Sequence, residues 1–123
     1  MNALTAARRA LAQSLAQAGL DATSHPAARP APPCLQVASL TIQGDGAPFG
    51  AWPVRVRIRC ITRPADPATA ADHLDDLVTT AVTALTETTD WAIESVGEPY
   101  TLVLTEAQTY PATDINATSI ITL

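Results

Sequence analysis

The sequence predicts an α+β domain: an antiparallel or mixed sheet of about four to five strands, with two helices packed on one of its faces. Three observations predict it. Residues 53–63, PVRVRIRCITR, alternate apolar and basic side chains without a break, and a period of two puts alternate side chains on opposite faces of a strand. Two other segments repeat apolar residues every three or four positions, the spacing of amphipathic helices. The segments run helix, strand, strand, helix, strand, strand, strand, which segregates helices from an antiparallel sheet and does not build parallel βαβ units.

The first helix is expected over residues 3–18. Leu4, Ala7, Leu11, Leu15 and Ala18 form its apolar stripe, Arg8, Arg9, Gln13 and Gln17 lie off it, and Gly19 suits the position after its end. Residues 19–33 follow as a Pro-rich connector within a single domain spanning 1–123; its four prolines, Pro26, Pro30, Pro32 and Pro33, preclude a regular helix. Residues 34–42, CLQVASLTI, read as a strand, and Gly44, Gly46 and Pro48 mark a loop, with Phe49 and Trp52 at its exit.

The alternating segment comes next. Val54, Val56, Ile58 and Cys60 face one way, Arg55, Arg57 and Arg59 the other, and Pro64 ends the run. Asp66 and Pro67 then fit the cap and first position of a second helix running to about Thr88. Its broad apolar face, Leu74, Leu77, Val78, Ala81, Val82 and Leu85, is expected to cover the apolar side of the alternating strand. Residues 91–96 read as a short strand, 97–99 as a turn, 100–104 as a further strand and 110–123 as a last long one, with 105–109 polar and unassigned.

Composition narrows the function. The chain has 123 residues and a net charge of −5, and all seven basic residues are arginine. The acidic balance argues against a general nucleic-acid binder. No run of about 18 apolar residues exists to cross a membrane, and the first 20 residues read as an amphipathic helix and not as a signal peptide. Cys34 and Cys60 occupy apolar strand positions and are expected to be buried free thiols.

No residue is singled out as catalytic, cofactor-binding or metal-binding. His25 sits in the connector. His73 is adjacent to Asp72 in a helix, where neighbours do not face each other. Asp72, Asp75 and Asp76 read as a solvated acidic face, and Gly44-x-Gly46 lacks the following helix of a phosphate loop.

The arginine face is the feature that asks for a function. Three unit charges stand about 7 Å apart along one strand and repel one another. They would suit a polyanion, or acidic residues across an interface. The acidic balance favours the interface, with Glu94, Glu98, Glu106 and Asp114 as partners supplied by a neighbouring copy or another protein. The plainer alternative is a charged solvent face that protects the sheet from aggregation.

The order of these pieces resembles a known family. The Ala-rich first helix leads to a connector ending Pro32-Pro33-Cys34. Then come Phe49-Gly50-Ala51-Trp52, the Arg-alternating strand, Leu74-Asp75-Asp76-Leu77-Val78, Trp91-Ala92-Ile93, Gly97-Glu98-Pro99, and Tyr110-Pro111-Ala112 before the last strand. Across nearly its whole length the chain resembles the tail terminator proteins, also described as minor tail or tail-completion proteins, of long-tailed actinobacterial phages. That resemblance implies a structural virion protein without enzymatic activity or cofactor. It would form a homohexameric ring at the head–tail junction, capping the tail tube protein and meeting the head-side connector or stopper. Genome DNA would pass through the lumen without sequence-specific contact. A head–tail connector or stopper is the nearest alternative; a nucleic-acid-binding α+β module using the arginine face is the alternative from another class.

Overall fold

The structure is a computed structural model, and it describes residues 2–26, 30–44, 50–105 and 108–122. The elements run α1 (Ala3–Gln17), β1 (Ala22–Thr23), β2 (Cys34–Ile42), β3 (Ala51–Ile61), α2 (Pro67–Thr88), β4 (Ala92–Val96), β5 (Tyr100–Thr105) and β6 (Gln108–Thr122). The fold is α+β, as the sequence predicts, with a mixed sheet of six strands. Phe49 and Glu106 lie outside the described residues.

Both helices start and stop on local chemistry. Asn2 caps α1, its side-chain oxygen accepting from the Thr5 amide at 2.8 Å. The C-terminal end closes when the Gly19 amide donates to Ala16 and the Leu20 amide to Leu15, at 3.0 and 3.2 Å. Gly19 takes φ +87° to do so, a conformation glycine adopts without a Cβ penalty. The helix thus ends one residue earlier than expected, and Ala18, the last member of the expected stripe, is exposed while Leu11, Ala12 and Leu15 are buried. Asp66 caps α2 with Pro67 at its first position; its carboxylate accepts from the Thr69 amide at 3.1 Å and the Thr69 hydroxyl at 2.7 Å. Those bonds hold the Asp66 carboxyl below its ordinary value.

The strand order is β1-β2-β3-β6-β4, and β5 lies beside β6 on the same side as β4. Only β1 is parallel to its neighbour; every other pairing is antiparallel. Three strands, β1, β3 and β6, differ from expectation by two residues or more. β1 arises inside the Pro-rich connector, where Ala22 and Thr23 pair with Leu35 and Gln36; two residues carry no periodicity to read. β6 begins at Gln108 and runs through Pro111. Proline offers no N–H there, but its carbonyl accepts from the Thr62 amide at 3.0 Å, so the chain stays in the sheet. β3 likewise starts before Pro53, whose carbonyl accepts from Gln43 at 2.8 Å.

The core lies between the helices and one face of the sheet. Leu11 and Leu15 of α1 and Leu77, Ala81, Ala84 and Leu85 of α2 join one cluster with Val56, Ile58 and Cys60 of β3, Leu35 and Val37 of β2, and Ile115 and Ala117 of β6. The expected packing of α2 against the apolar side of β3 is therefore observed. A second, smaller cluster forms on the opposite face at one end of the sheet. There Cys34, Ile61 and Ala112 stand side by side across three strands, with Leu102 and Tyr110 packed against them.

A candidate interface on the open sheet face

The face of the sheet away from the helices is laid out by register. Three rows cross it: Thr41–Arg55–Thr118–Ala92, Ser39–Arg57–Asn116–Ser95, and Gln36–Arg59–Asp114. All three arginines project from this face, as the alternation predicts. Arg55 and Arg57 are exposed and Arg59 is half-buried.

Two of the acidic residues expected to meet these arginines from another molecule already meet them within the chain. Arg55 and Glu94 form a two-contact pair, Nη2 to Oε1 at 3.1 Å and Nε to Oε2 at 3.2 Å. Glu94 is brought there by a bulge in β4 between Ile93 and Ser95, which lets the strand present an extra residue to the face. Arg57 lies 3.9 Å from Asp114. The repulsion that motivated an outside acidic partner is thus partly relieved inside one copy, because β6 lies next to β3 and β4 just beyond it, although both are far from β3 in sequence. Both pairs are substantially solvent-exposed on the arginine side, where such pairs contribute about 0–1 kcal/mol each.

Asp114 faces Arg59 across the strands, yet its carboxylate also accepts a 2.8 Å hydrogen bond from the Tyr100 hydroxyl. Burial and the Asp114 carboxylate push the Tyr100 phenol above its ordinary value, and the nearby Arg59 guanidinium pulls the other way. Arg59 Nε is buried without a hydrogen-bond partner among the described residues, an arrangement that costs free energy. Sequence reasoning missed Tyr100 as a member of this cluster. Nothing local signals it: Tyr100 and Asp114 meet only because β5 and β6 pair.

The other expected residues fall differently. Glu98 sits in the turn between β4 and β5, exposed, and forms no ion pair among the described residues. That turn is held by the Gly97 amide donating to Asp114 at 2.8 Å and by the Thr113 hydroxyl donating to the Gly97 carbonyl at 2.7 Å. Glu106 lies outside the described residues.

Cys34 and Cys60 are free and buried. Cys34 is across from Ile61 and Leu35 is across from Cys60, so the two thiols point to opposite faces of the sheet and cannot bond without moving backbone. Burial, with smaller contributions from Asp114 and Cys34, pushes the Cys60 thiol up to about 12. His25 is exposed, its ring bonded to the Ser24 hydroxyl at 2.9 Å. His73 lines a shallow cleft with Leu20, Pro33, Arg63, Asp76 and Leu77. Among the described residues no group of three His, Cys, Asp or Glu side chains stands together, and no helix is long and apolar enough to cross a membrane.

What the sheet offers beyond charge is apolar surface. Ile42, Val96, Tyr100, Val103 and Ile120 are the large hydrophobic side chains left exposed among the described residues, and every one is on a strand. Val103 and Ile120 are the most open, at 64% and 68%. No protein-family model and no curated protein matches the sequence.

Proposed function

We propose that this chain is a structural assembly subunit, and specifically a tail terminator: a protein that caps the tail tube of a long-tailed phage as a homohexameric ring and joins it to the head-side connector. The resemblance described above supplies the specific role. The observation that carries the broader reading is the placement of exposed apolar side chains. They sit on the sheet and its edge strands, while both helices turn their apolar stripes inward. A sheet presented in this way suits contact with other protein surfaces.

On this reading the open face, with Arg55, Arg57, Arg59, Glu94 and Asp114, and the turn that carries Glu98 belong to the surface used in assembly. It would meet a neighbour or the tube as a ladder of alternating charges and not as three bare cations. That also weighs against the nucleic-acid alternative, because Glu94 and Asp114 stand among the arginines. An acidic residue within the row repels phosphate where a binding surface needs attraction. The proposal assigns the protein no chemistry and no cofactor.

Native mass measurement and negative-stain imaging of the purified full chain, alone and with tail tubes, test the proposal. Six copies around a hole, or tubes closed at one end, are expected. A chain that stays monomeric in both conditions and leaves the tube ends open would overturn it.

A further inference from the structure

The two edges of the sheet match each other. β1 covers β2 only at Leu35 and Gln36, so beyond that point the outer edge of β2 has no strand beside it among the described residues. At the other edge, the outer side of β4 has no strand beside it among the described residues. Unpaired edges are templates for another strand.

Register puts these two free segments at one level. Four rows cross the sheet from edge to edge: Val37–Ile58–Ile115–Val96, Ser39–Arg57–Asn116–Ser95, Leu40–Val56–Ala117–Ile93 and Thr41–Arg55–Thr118–Ala92. Three antiparallel steps separate β2 from β4, so the two run in opposite directions, and a β4 laid beside the β2 of another copy would pair antiparallel. With the rows aligned, Val96 meets Val37 and Ile93 meets Leu40 on the helix side. Ser95 meets Ser39 and Ala92 meets Thr41 on the open side. A slip of one residue would set apolar side chains beside polar ones. Each edge also carries one bulge, between Val37 and Ser39 and between Ile93 and Ser95, within one row of each other.

We propose that β4 of one copy adds to the free edge of β2 in the next, continuing the sheet from subunit to subunit. The partner is a second copy of this chain because the two edges complement each other in direction, level and side-chain pattern. The contact is head-to-tail. Aligned rows fix the register of that contact, and the rotation from copy to copy decides whether such repeats close into a ring or continue as a filament. The Arg55–Glu94 ladder of each copy then becomes part of one continuous surface. This inference rests on the assembly reading above and adds its mode of contact.

Paired cysteines test it. Within one chain Ser39 and Ser95 are separated by three strand spacings, roughly 14 Å, too far for a disulfide. The full-length double variant Ser39→Cys with Ser95→Cys, mildly oxidised, is expected to give a ladder of covalent oligomers on a non-reducing gel, which neither single variant gives. A second pair guards against misfolding: Ser39→Lys with Ser95→Lys is expected to lose self-association, and Ser39→Lys with Ser95→Glu to regain it. If the chain self-associates but shows no ladder, and both charge variants associate equally, edge pairing is overturned while the assembly reading stands. If it is monomeric at every concentration and shows no ladder, edge pairing is again overturned, and the bulges and Glu94 act as guards against it. Tube capping then decides the assembly reading separately.

Discussion

Val56 and Arg57 are neighbours on β3, yet they answer to different surroundings. Val56 is fully buried under the helices, among residues brought from α1, α2, β2 and β6. Arg57 projects from the other face into partial solvent, 3.9 Å from Asp114. On the helix face shape decides: the side chains are aliphatic, packed, and fixed by area removed from water. On the open face charge is arranged in rows, and each pair is screened by water. One strand therefore separates what holds the protomer together from what it can present to others, and the two faces should respond differently to substitution.

The largest response belongs to the helix face. Ile58→Ala, at a position with no exposed surface, is expected to cost about 2–5 kcal/mol, as other large-to-small core changes do. Leu77→Ala should fall in the same range, since α2 packs on that strand. Denaturant midpoints for the two variants check this, and unchanged midpoints would break the assignment of the core.

Alkaline pH should probe the same face. The Cys60 thiol ordinarily loses its proton near 9.0 but holds it to about 12 in the fold. Its folded value is raised, so its contribution to stability is fully present below 9.0 and is lost as pH rises towards about 12. Tyr100 is shifted in the same direction and adds to the loss. Stability measured across that window should fall, and Cys60→Ala should flatten the fall even though it lowers stability at neutral pH.

On the open face, Arg59→Met should be neutral or raise stability by about 1 kcal/mol, because it removes a buried N–H that has no partner. A clear loss of stability would show that the contact of the Arg59 guanidinium with the Tyr100–Asp114 pair outweighs the unpaired N–H. Smaller still is the coupling between Arg55 and Glu94. A double-mutant cycle with alanine at both positions should return about 0–1 kcal/mol, falling with added salt.

What could be read from the sequence follows the range of the signals. The alternation in β3, the stripes of α1 and α2, and the Asp66-Pro67 start are local patterns, and they sufficed for the fold class and for α2 on the apolar side of β3. β1 escaped because two residues have no period. β6 starts two residues before the expected Tyr110; Gln108 and Thr109 are polar and carry no apolar alternation to mark them as strand. The arginine face was legible as a face, but its partners were not. Glu94 reaches Arg55 through the order β3-β6-β4 and a bulge, and Tyr100 reaches Asp114 through the β5–β6 pairing. Such contacts depend on topology, which no window of sequence contains.

The division between the two faces is tested most directly by exchanging one charge pair. The variant Arg55→Glu with Glu94→Arg keeps an ion pair inside the chain while inverting the pattern a neighbour meets on the face and at the β4 edge. Sedimentation of the purified full chain, beside the wild type, reads the outcome. The account predicts that the variant folds with an unchanged thermal midpoint but loses the assembled species that the wild type forms. A variant that assembles as the wild type does would contradict it, and Arg55 and Glu94 would then belong to a solvated surface with no part in contact.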